Sequence, residues 1–135
     1  MNNLFRSPEH RQRFLEVMQA IGTDKDTGYT SAVYILSSRA STLESAKTHI
    51  GKDGIDFEEI LNHQDWSGGY KSLLVLASDI FNGNTPTSMI DVCTRLDSSN
   101  FQVALHAIGI RHYGLPSLET QLTLEMWNTK DEENG

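Results

Sequence analysis

Trp66-Ser67-Gly68-Gly69-Tyr70-Lys71-Ser72-Leu73-Leu74-Val75-Leu76-Ala77-Ser78-Asp79-Ile80-Phe81-Asn82-Gly83 carries a helix start, an almost wholly apolar body and a helix stop. Ser67 can accept a hydrogen bond from the unpaired amides of a first turn, and Gly83 can take the left-handed conformation that closes a last one. Between them Tyr70, Leu73, Leu74, Ala77 and Phe81 recur at steps of three and four, and Val75, Leu76 and Ile80 widen that face. Lys71, Ser72, Ser78 and Asp79 are left for water. A helix this apolar needs cover from other helices, so residues 67–82 are predicted as the central buried helix of a compact all-α domain of five to seven helices.

The flanking sequence supplies that cover. Ser7-Pro8-Glu9 combines a cap, a proline that needs no amide partner and an acid near the positive helix end. The helix it opens should run to Ile21, with Phe14, Val17, Met18 and Ile21 on one face and Gly22 as its stop. After a polar loop from Thr23 to Gly28, Ala32, Val33, Ile35 and Leu36 predict a buried helix over residues 29–38, with a buried strand as the alternative. Ser41 and Glu44 have capping-box spacing for a short helix to Ile50, and Asp56 caps another that turns Phe57, Ile60 and Leu61 inward. Gly51 to Gly54 is a turn. Beyond Gly83, Ser88 or Thr87 caps residues 89–96. Asp97 to Asn100 then restarts the chain into a helix ending near His112, with Phe101, Ala104, Leu105 and Ile108 as its apolar face. Residues 115–127 fit either a helix or a short strand near the C-terminus. Residues 1–127 therefore read as one helical domain and 128–135 as a polar, disordered tail.

With 135 residues the chain is long enough to fold without staples, and its net charge of −7 disfavours direct binding to a nucleic-acid backbone. The lone Cys93 cannot close an internal disulfide, no charged-then-apolar leader opens the chain and no apolar run has transmembrane length. These features point to a cytoplasmic protein away from membranes. Cys93 follows Met89, Ile90 and Val92 and reads as a buried structural thiol. Arg6, His10, Arg11 and Arg13, beside Glu9 and Glu16, read as the solvated face of the first helix.

Glu9-His10, the Gly69-Tyr70-Lys71 entry to an apolar helix ending Phe81-Asn82-Gly83, Leu96-Asp97 and Ala107-Ile108-Gly109-Ile110-Arg111 together resemble small uncharacterised helical proteins of Gram-positive bacteria and their phages or mobile elements. The resemblance spans Arg6 to Gly114. It implies a helical fold and a phage or plasmid origin, and it transfers no activity.

Candidate contact residues are His63, Asp65, Trp66, Gly68, Gly69, Tyr70, Lys71, His112 and Tyr113. Gly68-Gly69-Tyr70-Lys71-Ser72 invites comparison with a phosphate loop, in which exposed amides and a lysine hold an anion. A nucleotide loop needs glycine directly before lysine and a strand upstream, and both are missing. The plainer reading is that two glycines let another backbone pass close to the helix start. His63-Gln64-Asp65 can bring an imidazole near a carboxylate, or can simply cap a loop. His106, set between apolar residues, reads as a partly buried, hydrogen-bonded histidine. Asp97 lies about 20 Å from Arg111 and His112 along one helix, so these make no shared site, and the latter two suit the negative end of their own helix.

No pair of histidines has helical zinc spacing and no nucleophile elbow occurs, so neither a metal, a cofactor nor a catalytic residue is predicted. The leading expectation is a non-enzymatic protein-protein interaction module contacting another protein, or a second copy in a homodimer, through Trp66, Tyr70, Tyr113 or Trp127. The first alternative is a small ligand-binding domain or enzyme with a polar pocket near His63, Asp65 and Lys71. The second is an acidic DNA-mimic inhibitor.

Overall fold

Ser7 opens the first helix as its sequence requires: in a computed structural model its side chain accepts the His10 amide at 3.0 Å. The structure describes residues 4–22, 24–62, 66, 68–116 and 118. Among them are seven α-helices: α1 Pro8–Ile21, α2 Thr27–Leu36, α3 Ala40–Ala46, α4 Phe57–Asn62, α5 Gly68–Asn82, α6 Met89–Arg95 and α7 Ser98–Tyr113. A 3-10 turn, Lys47–His49, follows α3, and a single bridge between Ile50 and Ile55 closes the Gly51 to Gly54 turn. The fold is all-α, and no strand occurs among the described residues.

Local capping set most boundaries. Ser88 and Asp97 accept the amides of Asp91 and Asn100 at 3.2 and 2.8 Å, starting α6 and α7. Gly22, Gly83 and Gly114 take positive φ at the ends of α1, α5 and α7. Two boundaries differ from the sequence reading. Asp26 accepts the Tyr29 amide, so α2 begins at Thr27 inside the expected loop, and the strand alternative falls away. The Ser41 and Glu44 capping box does not form, because the chain enters α3 through Arg39. Glu44 pairs with Lys47 instead, at 3.1 Å.

α2 is the most enclosed element, with eight of its ten residues buried, and it packs against both α5 and α7. α5 is buried along Leu73, Leu74, Leu76 and Ala77 but leaves Tyr70, Val75, Ile80 and Phe81 partly exposed, so α2 and not α5 is the enclosed helix. Ser78, expected to face water, is buried as well, where it donates to Thr85 Oγ1 at 3.0 Å. On α7 the inward face is Asn100, Val103, Ala104, Ala107 and Ile110, rotated from the expected one. Leu105 and Ile108 are exposed. Small residues at 104 and 107 let α7 approach α2, and that proximity outweighs the burial of two larger side chains elsewhere.

Cys93 is exposed, on a face of α6 that also exposes Met89 and Ile90, 62% and 67% accessible. Only Val92 of α6 is buried, so apolar neighbours in sequence did not translate into cover. At the C-terminal end, Leu118 N–H donates to Gly114 O at 3.1 Å and its side chain covers Gly109. Backbone 115–118 is thus helical where described, and 119–135, with Trp127, lies outside the described residues. No helix among the described residues is long and apolar enough to cross a membrane.

Candidate functional site: an arginine cleft at the start of α5

Gly69 fixes how α5 begins. A Cβ placed there would meet Arg95 O at 2.5 Å, so the C-terminal end of α6 can lie against the first turn of α5 only because this residue is glycine. The plainer of the two sequence readings of the paired glycines therefore holds. The close approach also lays the Arg95 guanidinium over Gly68, with Nη1 3.2 Å from where a Cβ would stand.

Beside this junction is a cleft of about 500 Å³, lined by Arg39, Thr42, Trp66, Tyr70, Arg95 and Asp97, with Ser41, Gly69 and Asn100 completing the wall. Four elements build it. The loop between α2 and α3 brings Arg39, α3 brings Ser41 and Thr42, α5 brings Gly69 and Tyr70, and the junction of α6 with α7 brings the remaining polar groups.

Each lining group has a definable state. Trp66 donates from Nε1 to Ile60 O at 3.1 Å and packs its ring 5.8 Å from that of Tyr70. Thr42 donates its hydroxyl to Tyr70 Oη. Burial raises the Tyr70 phenol above its ordinary value, while the Thr42 and Ser38 hydrogen bonds and the Arg39 and Arg6 charges pull the other way. Tyr70 therefore stays neutral at physiological pH. Asp97 spends Oδ1 on the Asn100 amide.

Arg39 is the unusual member. Its guanidinium lies 5.5 Å from the Tyr70 ring centroid, and Nη2 donates to Asn100 Oδ1 at 3.3 Å. Its Nε is shielded from solvent and has no hydrogen-bond partner among the described residues. Such a donor without an acceptor costs about 1–3 kcal/mol. Arg95 carries a related imbalance. It pairs with Asp91 at 3.2 Å, yet it rests against the positive end of the α5 dipole, where a cation is disfavoured.

The sequence-predicted residues divide among three places. Trp66, Gly69 and Tyr70 meet in this cleft. Gly68 and Lys71 line a second cleft of about 360 Å³ with Ser72, Thr87, Ser88, Asp91 and, again, Arg95. His112 and Tyr113 are exposed at the far end of α7, with ring centroids 4.6 Å apart, and join neither. Ser67, His63 and Asp65 lie outside the described residues.

Sequence reasoning missed Arg39 and Arg95. Each stands at a helix boundary, where its reach depends on which other helix end abuts it. The basic group at α1 is a solvated face in part: Arg6, Arg11, Glu9 and Glu16 are exposed, Arg13 is half-buried and His10 is buried. His10 donates from Nε2 to Tyr34 O at 2.8 Å, while Arg13 donates to Ser37 O at 2.8 Å and Arg6 to Ser38 O at 3.3 Å. These side chains satisfy carbonyls at and just beyond the C-terminal end of α2, a role that the sequence reading did not foresee. Arg111 likewise serves another helix, donating to Ile80 O at 3.0 Å and Thr27 Oγ1 at 2.9 Å. His106 does match its reading, with Nδ1 2.8 Å from Leu4 O.

Among the described residues no group of His, Cys, Asp and Glu side chains is arranged to hold a metal ion. Set against known proteins, the chain matches no family model, no curated protein and no solved structure.

Proposed function

We propose that this protein works by binding, without catalysis, and that the cleft between α3, α5 and the α6–α7 junction receives an anionic group, a phosphate or carboxylate, on its ligand or protein partner. The observation that carries this reading is the Arg39 guanidinium, without an ion pair among the described residues, in the wall of an open cleft. The planar guanidinium suits two-point contact with a carboxylate or a phosphate. Trp66 and Tyr70 give the same cleft an apolar wall, the mixture of few polar groups and aromatic surface that ligand sites favour. The interaction role expected from the sequence thus narrows from generic aromatic contacts to charge recognition.

Titration with inorganic phosphate, followed by calorimetry, tests this. Saturable binding is expected, weakened about tenfold or more in Arg39→Ala, a loss of ~1.4 kcal/mol. Equal affinity of parent and variant, with unchanged thermal unfolding, would refute the assignment.

A further inference from the structure

The cleft beside Trp66 holds charges of both signs. Arg39 and Asp97 line it together, and among the described residues neither has an ion pair, with the other or elsewhere. Asn100 stands between them. Its Oδ1 accepts Arg39 Nη2 at 3.3 Å, and its backbone amide donates to Asp97 Oδ1 at 2.8 Å. One residue therefore holds a cation at its side chain and an anion at its backbone, and keeps both at the cleft wall. Asp97 is exposed, and the cap uses one carboxylate oxygen, so Oδ2 keeps its capacity to accept.

The remaining cation in the wall is already balanced, since Arg95 pairs with Asp91 at 3.2 Å. One positive and one negative charge are left. A ligand that is only an anion answers Arg39 and meets like charge at Asp97, and a phosphate dianion meets more of it than a carboxylate does. A ligand with one carboxylate and one ammonium answers both. The third component is apolar: the Trp66 and Tyr70 rings, with centroids 5.8 Å apart, form a surface suited to an aromatic ring. The cleft volume of about 500 Å³ falls in the usual range of small-molecule sites.

Resting on the anion-binding reading above, we infer that the natural ligand is a free amino acid with an aromatic side chain. Its carboxylate lies at Arg39, its ammonium donates to Asp97, and its ring packs against Trp66 and Tyr70. The two ligand charges sit on one carbon, as their two hosts are tied to one residue, Asn100.

Calorimetric titration of the full chain at neutral pH with L-phenylalanine, and with 3-phenylpropionate, the same molecule without its amino group, tests this. Phenylalanine is expected to bind at least about tenfold more tightly. Asp97→Asn removes the charge and keeps an N-cap of similar quality, so it should bring the two affinities within about twofold with thermal unfolding unchanged. Asp53→Asn removes the same charge outside the cleft and should leave the preference intact. If phenylalanine binds no better than 3-phenylpropionate, or if Asp97→Asn and Asp53→Asn act alike, the amino-acid inference is overturned while the Arg39 reading stands. If Arg39→Ala weakens neither ligand, the anion-binding reading falls with it.

Discussion

His10 sets the acid limit of this molecule. Its Nδ1 accepts the Arg6 amide at 2.9 Å, which leaves Nε2 to carry the proton given to Tyr34 O. Both ring nitrogens are thus committed in the neutral form, and a second proton would break the Arg6 contact. Burial, helped by the nearby positive charges of Arg13 and Arg6 and by His106, lowers its pKa to about 4, against the opposing pull of the Tyr34 carbonyl. His106, lowered in the same direction by burial, faces it across Tyr34. Because the unfolded chain binds this proton more readily, the contribution of His10 is complete above pH 6.5. It declines as pH falls and is gone near pH 4, in total about 3 kcal/mol. Denaturant midpoints for parent and His10→Gln between pH 7 and 4 measure it. The parent should lose more stability than the variant across that window, and parallel curves would refute the assignment.

Helix ends meeting helix ends is the recurring device of the fold, and two glycines make it feasible. At Gly28 a Cβ would stand 2.9 Å from Phe81 O, so the start of α2 passes the end of α5 closely, with Arg111 bridging to Ile80 O. Gly69 plays the same part between α5 and α6. Since the obstructing atom in each case is backbone, an added methyl forces helices apart. Gly69→Ala should cost about 1–3 kcal/mol in chemical denaturation, whereas Gly54→Ala, with open space around it, should stay within about 0.5 kcal/mol. This contrast also explains what could be read in advance. Ser7, Ser88 and Asp97 act on amides three residues away, and the apolar run from Leu73 to Phe81 repeats on one turn's spacing, so both kinds of signal are local. Arg6, Arg13 and Arg111 act on carbonyls 24 to 32 residues away, at or just beyond the ends of other helices, for which no local pattern exists.

Charge in the folded molecule is distributed against its average. The chain is acidic, yet the start of α5 gathers Arg39, Arg95 and Lys71 from three parts of the sequence into two adjoining clefts that share Arg95 and that Asp97 and Asp91 also line. Half of that site was readable: Trp66, Gly69, Tyr70 and Lys71 announce themselves as aromatic, flexible and basic residues side by side. The other half came from folding, since Arg39 enters from the α2–α3 loop and Arg95 from the end of α6. The exposure of Cys93 was equally a product of packing, because α6 buries Val92 and leaves the rest of its apolar surface uncovered. Native protein should therefore titrate one thiol with a disulfide reagent before any denaturant is added, and a silent thiol would contradict this placement of α6. The same exposure has a practical bearing on assembly. With a single thiol per molecule, storage in air can couple molecules in twos and no further, so a doubled mass that collapses on adding reductant reports chemistry at α6, and one that persists reports genuine self-association.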